Sequence, residues 1–220
     1  MDSIHGISVN EHSSIRIKDD ITGKVAYIDP FKIKNDAHDA DIVLITHIHY
    51  DHFSPKDILM VANKDTRFVC PSSMKDKALD FLKGSSLDIS HLSCVKPQDR
   101  IDIEGINIEA VRAYNAFKPH HPKKNAWVGY NINVNNEWVY VCGDTDFVKE
   151  IASVSCDVAL VPVGGTFTMN AHEAARLVNE LHPKIAIPTH YGSIVGSKKD
   201  ADAFCAEVNR DIQTAILIKQ

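Results

Sequence analysis

The 220-residue sequence predicts an α/β (α+β) chain built as an antiparallel sheet with helices packed outside it. Three observations predict this. The middle third is a series of short apolar segments separated by turn residues, the last third alternates strand-like with helix-like segments, and no repeat, low-complexity tract or linker divides the chain. A single domain over residues 1–220 is the expected organisation.

The elements follow in order. Ser14–Lys18 (SIRIK) alternates as a half-buried strand does, and Lys24–Ile28 is an apolar run after the turn-like Thr22-Gly23. Ile42–Thr46 (IVLIT) is apolar almost throughout and rich in β-branched residues, which fits a strand buried on both faces. Ser54-Pro55 reads as the N-cap and first turn of a helix. Arg67–Cys70 reads as a strand and Ser72–Leu82 as a helix. Four strands are expected at Arg100–Ile103, Ile106–Arg112, Trp127–Val134 and Trp138–Cys142, with turns at Gly105 and Asn135-Asn136. Val158–Val163, Ile185–Ile187 and Thr214–Ile218 read as strands, and Asn170–Leu181 and Lys199–Asn209 as helices. The first of these helices has Asn170 as N-cap and Ala174, Ala175, Val178 and Leu181 on one apolar face.

Composition narrows the function classes. At 44% hydrophobic and 24% charged the chain resembles an ordinary globular protein, and its net charge of −5 offers no broad footprint for nucleic acid. Five scattered cysteines, Cys70, Cys94, Cys142, Cys156 and Cys205, form no CxxC pair and read as reduced core thiols. The start, MDSIHGISVNEHSS, lacks the basic end and apolar run of a signal peptide, and no apolar stretch approaches the roughly 20 residues of a membrane span. A cytoplasmic location is expected.

The sharpest chemical feature is Thr46-His47-Ile48-His49-Tyr50-Asp51-His52, which directly follows the buried IVLIT strand. Three imidazoles and a carboxylate at a strand's end are the donor set that zinc and similar ions prefer. Left unpaired there, they would carry a large desolvation cost. Val141-Cys142-Gly143-Asp144-Thr145 places an Asp after a second apolar strand, and Ile185–His190 (IAIPTH) places a His after a third. Alone, Asp144 reads as a turn residue and His190 carries no ligand signal. Together, three strand ends bearing His or carboxylate suggest a shared two-metal site.

HxHxDH, then GDT, then PTHYG, in this order, resembles the metallo-β-lactamase superfamily. Glu11-His12-Ser13-Ser14, Asp29-Pro30-Phe31 and Val161–Met169 (VPVGGTFTM) look like its compact branch of metal-dependent hydrolases related to ascorbate-6-phosphate lactonase. The resemblance implies a four-layer αβ/βα sandwich with two divalent ions, zinc first and manganese as the alternative, at one edge of the sheets. It implies His47 and His49 on one ion, Asp51, His52 and His190 on the other, and Asp144 bridging them. Asp51 and Asp144 would also serve catalysis, with a bridging water as the nucleophile.

The resemblance implies a third His on the first ion, carried in related compact members at a strand end. This chain reads Ala113-Tyr114-Asn115 there. His121, 23 residues before Asp144, is the first choice to complete the set, with His120 and Asn115 as alternatives. Asp29 matches a family position that orients a ligand imidazole. His12 would either face the site or cap a strand. Lys123 would hold a substrate anion or simply be solvated, and Tyr191 would donate to a developing oxyanion. His172 reads as a surface residue, and His5, His38, His91 and His182 have no partner pattern.

The expected activity is hydrolysis of a small ester, lactone or phosphodiester. The chain is short for a nucleic-acid-binding arm, so a small-molecule substrate is expected, with no membrane partner and with self-association left open. A lactam substrate is disfavoured because no cysteine stands in the second ligand set. A di-iron reductase is disfavoured by His49, where that branch carries Glu. A metal-binding or ligand-sensing protein without turnover is the competing class, fed by Asn115.

Overall fold

A computed structural model describes residues 4–218. Residues 1–3, part of the stretch read for a signal peptide, and residues 219–220 lie outside the described residues. The strands are β1 (Ile7–Glu11), β2 (Ser14–Lys18), β3 (Val25–Ile28), β4 (Ala40–Leu44), β5 (Ala62–Pro71), β6 (Leu92–Val95), β7 (Arg100–Ile103), β8 (Ile106–Arg112), β9 (Val128–Val134), β10 (Glu137–Val141), β11 (Val158–Pro162), β12 (Ile185–Thr189) and β13 (Gln213–Thr214). The α-helices are α1 (Pro55–Val61), α2 (Lys75–Lys83), α3 (Ala171–Leu181) and α4 (Lys198–Glu207).

Two sheets form, in the orders β1-β2-β3-β4-β5-β6 and β13-β12-β11-β10-β9-β8-β7. They pack face to face, and one core gathers Ile17, Ile28, Ile42 and Leu44 from the first with Val128, Tyr130, Ile132 and Leu160 from the second. Period-2 alternation sends Val43 and Ile45 to the opposite face, where they meet Ile58 and Val61 of α1 and Ala78 and Leu82 of α2. That is why IVLIT is apolar up to Thr46. Helices α3 and α4 cover β11 and β12 on the other side. The result is the four-layer αβ/βα sandwich.

The expectation of one antiparallel sheet is corrected. There are two sheets, and both are mixed: β3 to β6 pair in parallel, as do β10 to β13. Crossovers through the helices, and through the long loops 29–39 and 142–157, permit parallel pairing. Strands β1 and β6 were not anticipated, and Thr214–Ile218 contributes only Thr214 to a two-residue edge strand. Ser72–Leu82 begins as a 3₁₀ turn before α2. Among the described residues no helix is long and apolar enough to cross a membrane.

Strand direction positions the site. β1 and β3 are both antiparallel to β2, and β4 is parallel to β3, so β1, β3 and β4 point the same way. By the same parity β8, β10 and β12 share a direction in the second sheet. The C-terminal ends of these six strands deliver His12, Asp29, the 46–52 loop, the 113–125 loop, Asp144 and His190. Bonds between the sheets lock the two rims together. Val128 N–H donates to Thr46 O (3.3 Å), His190 N–H donates to His12 O (3.0 Å), and the Tyr130 hydroxyl donates to Ile45 O (2.7 Å).

Candidate metal centre

Eight side chains meet at this rim in two groups. His47, His49, His121 and Asp144 form the first, and His12, Asp51, His52 and His190 the second. Within each group one donor atom from every residue lies within 4.8 Å of all the others. All eight are buried except the half-exposed His49.

In the first group His47 Nε2 stands 3.1 Å from His49 Nδ1 and 3.3 Å from His121 Nε2. Asp144 Oδ2 is 3.2 Å from His121 Nε2 and 3.8 Å from His47 Nε2. Trp127 packs on His47, His49 and His121, with ring centroids 5.0, 5.1 and 5.5 Å away, and seals this side of the group. In the second group Asp51 Oδ2 lies 3.4 Å from His12 Nε2, 3.6 Å from His52 Nε2 and 3.9 Å from His190 Nε2. Asp144 spans both groups. Its Oδ1 is 3.3 Å from His52 Nε2 and its Oδ2 is 3.1 Å from His190 Nε2.

The bonds behind these side chains set which nitrogens face inward. The Thr46 hydroxyl donates to Asp29 Oδ2 (2.6 Å), so it can accept from Nδ1–H of His47 (2.9 Å). His52 Nδ1–H donates to the same Asp29 oxygen (2.7 Å). Both arrangements leave the Nε2 lone pair aimed into the cluster, as a ligand imidazole requires. Asp29 is held in place by the Thr46 N–H (2.8 Å) and adopts φ +49°, a left-handed backbone rare outside glycine.

Electrostatics fit a cation. Burial lowers the pKa of His12 to about 4, against the pull of the nearby Asp51 carboxylate, and the charges of His190 and His52 lower it further. Burial likewise holds His47 well below 6.5 and lowers His49, so all three are neutral with free lone pairs. Burial opposes charge on His52 too, but Asp144 and Asp29 outweigh it and raise its pKa well above 6.5. Burial would raise Asp144, yet the His190 and His52 charges and the close approach of the His121 and His190 rings carry it well below 3.8. The cluster thus draws positive charge toward Asp144. Both nitrogens of His12 and of His190, His52 Nε2 and Asp144 Oδ1 are buried without a hydrogen-bond partner. Buried polar atoms without partners are costly, and a divalent ion would satisfy the Nε2 atoms of these imidazoles and Asp144 Oδ1 at once.

The structure brings His47, His49, Asp51, His52, Asp144 and His190 together, as the sequence motifs suggest. Of the three alternatives for the last position, His121 points Nε2 into the first group. His120 is exposed and packs on the Phe167 ring, 4.8 Å away. Asn115 stands behind His121: its N–H donates to His121 O (2.7 Å), and its amide lies 3.3 Å from His121 Nδ1 while donating to Phe167 O (2.7 Å).

One expectation needs correction, and one open alternative is narrowed. Tyr191 is fully buried, its hydroxyl has no hydrogen-bond partner, and burial with the charges of Cys205 and Asp202 on α4 raises its pKa to about 12. It is a core side chain against α4 and not a donor to the cluster. The Lys123 ammonium is occupied by Glu150 (2.6 Å) and the Tyr114 hydroxyl (3.3 Å), so it is not free for an anion. The sequence also underread His12, Thr46 and Trp127. Thr46 and Trp127 carry no ligand signature, and their roles exist only once the sheets are packed.

Three comparisons bear on this geometry. The family model described as a beta-lactamase superfamily domain matches residues 6–190. A metal-dependent hydrolase of Hyperthermus butylicus is 28% identical over 181 residues, 80% of this chain and 76% of that one. A crystal structure from Parabacteroides distasonis, 27% identical, superposes with a TM-score of 0.77 over 97% of this chain and 93% of its own. The metallo-beta-lactamase fold protein YhfI of Bacillus subtilis is 12% identical, with a TM-score of 0.71 over 94% of this chain and 89% of its own. The chain belongs to the beta-lactamase superfamily, and its fold is the metallo-β-lactamase sandwich.

Proposed function

We propose that this member of the beta-lactamase superfamily is a metal-dependent hydrolase that holds two divalent ions and cleaves a small ester, lactone or phosphodiester with water as the nucleophile. The observation that carries the reading is the pair of donor groups sharing Asp144, the second of them with the Nε2 atoms of His12, His52 and His190 buried and unpartnered. The name of the Hyperthermus butylicus relative supports it.

Divalent ions in such a site lower the pKa of a coordinated water and take up charge from an oxyanion. The protein's own part is to place and orient. His47, His49 and His121 would hold one ion, Asp51, His52 and His190 the other, and Asp144 both. Asp29 and Thr46 would fix the ring orientations. Zinc suits imidazole and carboxylate donors, and manganese is the alternative. Half-exposed His49, beside Tyr50 at 67% exposure, marks the side open to substrate. Phe117, 97% exposed on the 113–125 loop, adds apolar surface nearby. All five cysteines are free thiols, which supports a reducing, cytoplasmic setting.

The competing non-catalytic reading draws on Asn115; the position of His121 beside His47 and Asp144 favours the catalytic one. The test is metal analysis of the purified protein together with a panel of chromogenic esters, lactones and bis(p-nitrophenyl) phosphate. The expected result is about two ions per chain and turnover that a chelator removes and His49→Ala abolishes. Two bound ions with no turnover of any class would favour the sensor. Absence of bound metal would overturn both.

A further inference from the structure

The second group holds one donor more than the resemblance implies. Asp51, His52 and His190, together with Asp144, already make a complete set, yet His12 stands among them. His12 is 0% exposed, and neither ring nitrogen has a hydrogen-bond partner. A buried polar group left in that state costs about 1–3 kcal/mol. Its backbone adds to the cost: it sits in the β1–β2 turn at φ +54°, where glycine or asparagine is more at ease. Packing gives a partial account, since the ring lies 3.9 Å from His190 and 6.4 Å from Phe31, centroid to centroid. An apolar ring would pack there without stranding two nitrogens.

The spacing indicates the missing partner. Donors bound at about 2.1 Å to one tetrahedral ion lie about 3.4 Å from each other, and closer as the coordination number rises. His12 Nε2 is 3.4 Å from Asp51 Oδ2, as near as any nitrogen of its group comes to that oxygen. The His190 N–H to His12 O bond holds the two residues side by side.

We propose that His12 is a further ligand of the second ion, through Nε2. With Asp51, His52, His190 and Asp144 it would give that ion five protein donors, against four for the first. The ions are then unequal. The second is tightly held and enclosed, and the first, beside half-exposed His49, is the exchangeable one that meets substrate. This rests on the two-ion reading above.

The test is cobalt(II) titration of metal-free protein, followed by calorimetry and visible absorption, in wild type, His12→Gly and His49→Ala. Glycine suits the φ of +54°, so His12→Gly should keep its fold in the metal-free form. Its tighter cobalt step should weaken at least tenfold, with a changed absorption spectrum. His49→Ala should weaken only the other step. If His12→Gly does not fold, His12→Asn, which also tolerates this backbone, carries the same readouts. Cobalt binding and spectrum equal to wild type in the folded variant overturn the role of His12 alone. A folded variant whose metal-free form loses stability while its cobalt steps stay unchanged makes His12 a packing residue and overturns the role as well. Wild type that binds no cobalt overturns this inference and the hydrolase reading together.

Discussion

Asp29 accepts three hydrogen bonds, from the Thr46 N–H, the Thr46 hydroxyl and His52 Nδ1–H, and is 1% exposed. It touches no other member of the cluster directly, so its effect passes through ring orientation. Asp29→Asn should lower affinity for the second ion about 10–100-fold while leaving the fold intact, measured by competition with a chromophoric chelator. Unchanged affinity would remove Asp29 from the site. Acid should also act on the metal-free protein. His12, His47 and His49 have folded pKa values below 6.5, so the unfolded chain binds more protons under that pH. Their stabilisation is present above 6.5 and lost as pH falls from 6.5 toward about 4, the value for His12. His52 has the opposite sign. Its raised pKa gives stability present below 6.5 and lost as pH climbs through its folded value, outside the acid window. The metal-free melting temperature should therefore fall between pH 6.5 and 4, and a flat profile there would contradict the burial argument. At this scale the sequence was informative where ligands crowd together, as in His47 to His52. It was silent where one residue's role depends on another far along the chain, as His12 depends on His190.

Helix α3 shows local sequence signals acting as written. Asn170 Oδ1 accepts from the Glu173 N–H (2.9 Å) and Glu173 accepts from the Asn170 N–H (3.0 Å), a reciprocal cap. Asn170→Ala should cost about 1 kcal/mol, or about 2–4 °C in a chain of this size, without changing metal content. A loss of bound metal would mean that α3 supports the site more directly. Gly164, just after β11, is the sterner case. A Cβ there would meet His190 O at 2.4 Å and Val195 at 2.8 Å. Backbone cannot yield as a flexible side chain does, so Gly164→Ala should cost about 1–3 kcal/mol and weaken the second ion through His190. Wild-type affinity in that variant would show that the end of β12 can shift freely. Strand β11 and the IVL end of β4 were legible because burial on both faces leaves an unbroken apolar run. Strand β6 was not, since LSCV is short and only Val95 is fully buried, and β1 mixes ISV with polar NE. Parallel pairing was also hidden, because it depends on where each crossover returns the chain.

Across the whole molecule, the two sheets bring ends of β1, β3, β4, β8, β10 and β12 to one rim, and the ions would tie that rim together. Ligand that binds only the folded state stabilises it by mass action, about 2.7 kcal/mol per ion at a hundredfold excess over Kd. Chelation should thus lower the melting temperature by about 5–10 °C per ion, reversibly on adding zinc. A melting curve indifferent to chelator would mean that the donor groups are not filled by metal. The fold family could be read from motif order, whereas the 113–125 loop carries no pocket signature in its sequence. The most direct test of the central claim is anomalous diffraction from crystals of the metal-loaded protein, collected at the absorption edge of the bound ion. The account predicts two peaks flanking the Asp144 carboxylate, one beside His47, His49 and His121 and the other beside Asp51, His52 and His190. No peak at that carboxylate, or peaks only elsewhere on the surface, would contradict it.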